Sequence, residues 1–248
     1  MINLFLGMKR KAIIIKGYSK DNDEQIRDTN HVKSYQDFFY SIAGGCYEKN
    51  EILFLEELKL VDLNNKLENL NADYLIVVFI GHGASQDDSQ LFQLSKDEII
   101  HPGDLTFSAS KELLILESCR NIATGVRSLK QVGKIARFKG GGKILIPLSR
   151  AKSRKLYNQH LAKCEDGLVI CRACSLSESA YGYFFIDEIL KQSKEWHIKS
   201  TEQNGVLDIQ VLFKGVAKEV SVLAKTNSVN QTPVISGTNK FPFVVSRY

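Results

Sequence analysis

Seven consecutive apolar residues, Tyr74-Leu-Ile-Val-Val-Phe-Ile80, run without interruption into Gly81-His82-Gly83. A run this short and this uniformly apolar, rich in β-branched and aromatic side chains, predicts a strand buried on both faces, as in a parallel sheet. Shorter runs of the same kind recur at residues 11–17, which end at Gly17, and at 52–55, 112–117 and 168–173. Between them the spacing changes. Val32, Tyr35, Phe38, Phe39 and Ile42 recur at three and four residues and stop at Gly44-Gly45, which predicts an amphipathic helix. Residues 60–70, 150–163 and 181–193 give further helical stripes, whereas the polar stretch 18–29 predicts a loop. Residues 91–94 and 98–100 predict a small hairpin, and 143–146 a further strand. Residues 206–222 fit a helix or a strand equally well. Residues 241–246, with Pro242 near their start, predict a late edge strand. Strands alternating with helices predict an α/β fold, a mainly parallel central sheet with helices on both faces.

Composition narrows the class. The 248 residues are 44% hydrophobic and 25% charged, ordinary globular usage that excludes a disordered or fibrous chain. No repeat and no long linker is visible, so 1–248 is expected to form a single domain. The apolar runs fall far short of the ~18 residues of a membrane span. Lys9, Arg10 and Lys11 follow the first apolar stretch instead of preceding it, against the order of a signal peptide. Five sparse cysteines make a poor disulfide framework and point to a reducing, cytoplasmic setting. The net charge of +5 has a location: eleven Lys and Arg lie between Arg127 and Lys163, with no acid until Glu165. Such a run suits either a phosphate backbone or a solvated loop.

In an open parallel sheet, reactive side chains gather beyond the carboxyl ends of the strands. Two strands here end on such residues: His82 follows Ile80, and Cys119 follows the 112–117 strand. If the two strands are neighbours, a thiol and an imidazole share one rim, which is what a cysteine nucleophile with a histidine base requires. Gly83 would bring its N–H beside that of Cys119, two donors for the oxyanion of a tetrahedral intermediate.

The strand running into Gly81-His82-Gly83, followed by the strand running into Ser118-Cys119-Arg120, resembles the caspase-like cysteine peptidases, the group of caspases, metacaspases and clostripain-like enzymes, in a bacterial-type form. The resemblance spans the chain from residue 11 to residue 241. It implies a three-layer α/β sandwich with a large-subunit-like part at about 1–125, a basic loop at about 127–165 and a small-subunit-like part at about 166–248. It also implies a Cys119–His82 dyad. Metacaspases and clostripain-like enzymes usually carry Asp two positions before the nucleophile, in the pocket for a basic P1 side chain; this chain has Glu117 there. A carboxylate at that place favours Arg or Lys, and Arg offers a bidentate match. Arg120 resembles the arginine after the caspase nucleophile, and alone would not build an acidic-substrate pocket. Cys174 and Ser175, after the 168–173 strand, would lie near P1, where the backbone pairs with an extended peptide. The basic loop would be a maturation segment, with Arg150, Lys152, Arg154, Lys155 and Lys163 as self-cleavage points. A regulated role in defence or cell death, under an activating partner, would follow by association.

Other groupings carry less. Asp87 and Asp88 would add negative field to the cleft, with Asp87 a candidate substrate contact; two acids fall short of a calcium site, although some metacaspases need calcium. A solvated loop is the simpler account of both. His160, Cys164, Cys171 and Cys174 have zinc-ligand chemistry without zinc-knuckle spacing, so no metal or cofactor is expected. Gly140-Gly141-Gly142-Lys143 lacks the spacing of a phosphate loop. His31, His101 and His197 show no evident partner in the sequence, and Trp196 reads as a packing residue beyond a helix. Two rival functions stay open: a catalytically silent caspase-like scaffold, and a nucleic-acid-binding protein using residues 127–163.

Overall fold

The computed structural model describes residues 7–86, 89–105, 107, 109–118, 146–181 and 183–248. Five strands run parallel in a six-stranded sheet: β1 (Arg10–Lys16), β2 (Ile52–Glu56), β3 (Tyr74–Ile80), β7 (Lys111–Glu117) and β8 (Gly167–Arg172). The sixth, β10 (Val234–Ser236), pairs antiparallel with β8 at one edge, and the order across the sheet is β10-β8-β7-β3-β1-β2. β3 and β7 are therefore direct neighbours, in a register that sets Ile80 opposite Glu117.

The period of two along each strand sorts the core into two layers. Ala12 and Ile14 of β1, Ile76 and Val78 of β3, and Leu113 and Ile115 of β7 face one layer. Four helices cover it: α1 (Asn22–Tyr40), α3 (Arg150–Leu161), α4 (Phe184–Lys199) and α5 (Ile209–Thr226). Ile13, Val77, Phe79 and Leu114 face the other layer, under α2 (Leu60–Glu68) and a small sheet of β4 (Gly83–Gln86), β5 (Ser89–Ser95) and β6 (Glu98–Ile100). Both faces of the central sheet are thus covered. Every residue of β3 is buried, as its uninterrupted apolar run predicts. At ~1.5–3 kcal/mol for each large apolar side chain fully buried, the central strands hold much of the stability. Among the described residues, no helix is long and apolar enough to cross a membrane.

Three expectations need correction. The stretch 18–29 is not all loop: α1 starts at Asn22, where Asp21 caps it by accepting a hydrogen bond from the Glu24 N–H. Its polar first turns hide the helix from apolar periodicity, because they face the rim of the sheet and not the core. The ambiguous stretch 206–222 is both: β9 (Val206–Asp208) passes into α5, and Asp208 is the cap that divides them. The last strand, β11 (Pro242–Val245), is no edge of the central sheet; it pairs antiparallel with β9, and all four of its residues are buried. The strand expected at 143–146 lies mostly outside the described residues.

At the carboxyl rim, three loops are stitched together by the backbone. The Gly17 N–H donates to Ile80 O at 2.9 Å, the Tyr18 N–H to Gln93 O at 3.1 Å, and the Gln93 N–H to His82 O at 3.0 Å. Gly17 is the tight point, because a Cβ there would stand 2.3 Å from Gln93 O. Gly17→Ala is expected to cost about 1–3 kcal/mol through overpacking. That is a fall in Tm of about 2–4 °C per kcal/mol for a chain of this size, read by thermal denaturation. An unchanged Tm would mean that the β5 hairpin is not clamped to the exit of β1.

Candidate active site

The exits of β1, β3, β7 and β8 and the first turns of α1 and α4 meet at this rim. His82 leaves β3 one residue past Gly81, whose N–H reaches Glu117 O at 3.4 Å, so the exits of β3 and β7 touch. The His82 ring is partly buried, and its Nε2 lies 2.9 Å from Glu24 Oε2 in the first turn of α1. The same carboxylate oxygen accepts the Lys20 N–H at 2.6 Å. The Glu24 hydrogen bond raises the His82 pKa, against burial, which lowers it; the charges of Glu24 and Asp28 add to the rise. Burial pushes the Glu24 pKa up, but the hydrogen bonds from His82 and from the Lys20 backbone outweigh it, and the net shift is downward. The pair is an ionised carboxylate holding an imidazole that readily takes a second proton.

Cys119 lies outside the described residues, and so do Arg120, Asp87, Asp88, the Gly140 run and the basic residues up to Lys143. Ser118, which precedes Cys119, is buried and doubly fixed: its Oγ accepts from Gln90 Nε2 at 2.7 Å, and its carbonyl accepts from Cys174 Sγ at 3.7 Å. Gly83 begins β4, opposite Phe92 of β5.

Glu117, the last residue of β7, is 4% exposed. Burial pushes its carboxyl well above the ordinary range, the Asp187 charge adds to the rise, the Ile186 N–H opposes it, and the Asp28 charge raises it further. Its Oε2 has no hydrogen-bond partner among the described residues. Asp28 of α1 is 1% exposed; it accepts from Ser19 Oγ at 2.8 Å, and burial raises its pKa too. Asp187 in the first turn of α4 meets His31 Nε2 at 3.2 Å. Glu117 at the end of β7 thus feels the charges of two carboxyl groups from other elements, Asp187 of α4 and Asp28 of α1. The sequence singled out only Glu117, because Asp28 sits in a stretch that reads as loop and Asp187 in an amphipathic helix with no motif.

The remaining candidates are placed as follows. Cys174 and Ser175 follow β8; Cys174 is fully buried, its Sγ also donating to Glu178 O at 3.3 Å, and the Ser175 N–H donates to Glu178 Oε2 at 3.3 Å. Arg150, Lys152, Arg154 and Lys155 all lie in α3. Arg150 donates to Tyr40 O, and Arg154 forms a two-pronged pair with Glu51. Cutting at any of these four would require α3 to unwind. Lys163 lies in the turn just past α3. Two histidines do have partners: His31 pairs with Asp187, and His197 Nδ1 lies 2.7 Å from Val245 O. Trp196 packs from within α4, which runs on to Lys199, and not from beyond a helix end. Among the described residues, no group of three or more His, Cys, Asp or Glu is placed to share a metal ion.

No protein-family model and no curated protein matches this chain. Solved structures do resemble it. Caspase-1 from Spodoptera frugiperda is similar with a TM-score of 0.51 over 92% of this chain and 87% of that one, at 12% identity. The Drosophila initiator caspase Dronc gives a TM-score of 0.52 over 94% of this chain and 80% of its own, also at 12% identity. The expected caspase-like α/β sandwich is therefore the fold of this protein. The likeness is one of fold alone, and it does not single out a bacterial-type branch.

Proposed function

We propose that this protein is a cysteine endopeptidase that cuts after Arg or Lys, with Cys119 as nucleophile and His82 as its acid–base partner. The observation that carries this reading is His82 itself: an imidazole held by a carboxylate at the exit of β3, against the neighbouring exit of β7, from which the chain passes through Ser118 to Cys119. A carboxylate-held imidazole beside the exit of a parallel strand suits a proton-transfer group.

The chemistry follows from these groups. The Cys119 thiolate forms a bond to the scissile carbonyl carbon while the carbonyl π pair moves onto oxygen, where the N–H groups of Cys119 and Gly83 stabilise it. The oxyanion pair then re-forms the carbonyl, the C–N bond breaks, and the leaving nitrogen takes a proton from the His82 imidazolium. Water adds to the thioester and gives a proton to His82; collapse breaks the C–S bond, frees the new carboxyl end and restores the thiolate and the imidazolium. Glu117, with Asp28 and Asp187 behind it, favours a cationic P1 side chain over an acidic one, since a guanidinium would neutralise carboxylates that now crowd one another. Cys174 and Ser175 would flank the P1 residue. Self-processing would fall in the basic segment between Arg127 and Lys163, in a cytoplasmic enzyme matured by its own activity or by a partner.

A panel of otherwise identical peptides with Arg, Lys or Asp at P1 tests the reading, run on the full chain before and after thiol alkylation. Cleavage of the Arg and Lys peptides, lost on alkylation, is expected. Failure to cut any of them, in self-processed as well as intact protein, would defeat the peptidase assignment; cleavage of the Asp peptide alone would defeat the role given to Glu117.

A further inference from the structure

We propose that Glu24 is the positioning residue of His82: a carboxylate from the first turn of α1 that fixes the imidazole's ring orientation and tautomer. The proposal rests on the peptidase reading for its consequence, and on the His82–Glu24 contact for its basis.

A carboxylate that positions an imidazole must itself be held, and Glu24 is held three ways. Its backbone N–H donates to Asp21 Oδ1 at 2.9 Å, its Oε2 accepts the Lys20 N–H at 2.6 Å, and its side chain is only 18% exposed. The start of a helix also suits a carboxylate, because the macrodipole is positive there. An ionised carboxylate has no proton to give, so at 2.9 Å it is His82 Nε2 that carries the hydrogen. That choice leaves Nδ1 as the nitrogen for the nucleophile and the leaving group. The charged groups acting on His82 agree with this role. Glu24 and Asp28 on α1 favour the imidazolium, Lys20 in the preceding loop opposes it, and the Tyr18 ring lies 6.4 Å away. The contact also ties two segments together, since α1 packs on the sheet whose strand β3 delivers His82.

The isosteric change Glu24→Gln separates positioning from mere helix support. A glutamine occupies the same space, but its NH2 can donate to Nε2, which moves the ring proton to Nδ1 and disables the base. The expected result is a kcat lower by about 10²-fold with KM nearly unchanged, and an alkaline limb of the rate profile, where the imidazolium loses its proton, displaced to lower pH. Glu24→Asp, which keeps the charge, is expected to recover part of the rate. In parallel, the His82 ring is titrated by NMR in native protein and in Glu24→Gln, its signal assigned by loss in His82→Ala. The native pKa is expected above the ordinary ~6.5 and the variant's below the native value. An unmoved titration overturns the proposal whether or not any peptide is cut, so failure of the peptidase reading stays distinguishable from failure of the His82–Glu24 pairing. An unmoved alkaline limb with undiminished kcat also overturns it, as does a rise in kcat, which would make Glu24 a latch holding His82 away from its work.

Discussion

Cys119→Ala is expected to abolish cleavage of Arg and Lys peptides, and His82→Ala to lower kcat/KM by about 10³-fold, the two largest losses any single substitution in this chain should cause. The losses differ in kind. In the proposed mechanism no acyl-enzyme can form without Cys119. Without His82 the thiol is still present, but it ionises as an unassisted thiol with pKa near ~8.5, and the leaving amine departs with no proton donor. Alkylation kinetics separate the two roles. In native protein Cys119 should react with a neutral alkylating reagent well below pH ~8, whereas in His82→Ala the reaction should follow the ordinary thiol titration. The other thiols interfere little: Cys46, Cys171 and Cys174 are buried, and burial pushes the Cys46, Cys164 and Cys171 thiols up. Mass analysis of the peptide containing Cys119 therefore reads the relevant rate. Turnover and alkylation left unchanged in His82→Ala would remove the histidine from the mechanism.

Why His82 could be read from the sequence and Glu24 could not is a matter of range. A buried parallel strand announces itself in seven adjacent side chains, and a residue just beyond its end is placed by the same signal. The same holds for Glu117, the last residue of β7. Glu24 is 58 residues from His82 along the chain, on a helical turn whose outward polar residues imitate a loop. Only the packing of α1 on the sheet, driven by Val32, Tyr35 and Phe39 further along the helix, brings it to the rim. Long-range electrostatic pairs leave no periodic trace. Buried charges at strand ends escape in the same way. Arg10 is 1% exposed, stacked on the rings of Tyr47 and Tyr157, and Lys16 is fully buried against Glu56, yet in sequence both look like polar boundaries of an apolar run. The β9–α5 join was ambiguous for a local reason. Val206, Leu207, Ile209 and Leu212 satisfy either period, and it is the Asp208 side chain, accepting the Val211 N–H at 3.0 Å, that makes one end strand and the other helix.

Glu117→Gln is expected to make the protein more stable at neutral pH while weakening cleavage after Arg by about 10²-fold or more. The stability half follows from linkage. An unfolded Glu titrates near ~4.3, whereas in the folded chain burial, and then Asp187, push Glu117 well above its ordinary value. A carboxyl whose folded pKa is raised favours folding below its unfolded pKa, and that contribution is lost as pH rises towards the folded pKa. At neutral pH the folded chain therefore pays for this carboxyl, either by holding a proton or by burying a charge. Glutamine carries neither burden, and its amide oxygen can still accept the Ile186 N–H at the start of α4. The gain in Tm should be clear at pH 7–8 and should shrink towards pH 4. The specificity half follows from the same burial. A guanidinium reaching Glu117 would favour its charged form and pair with it; glutamine cannot supply that charge, and truncating one partner of a buried charged pair costs about 2–5 kcal/mol. Thermal denaturation across pH and the P1 panel read the two halves separately. A destabilised Glu117→Gln with unchanged P1 preference would reduce Glu117 to a cap on α4. A stabilised variant that no longer prefers Arg would show a group kept at a cost to the fold because the cleft needs its charge.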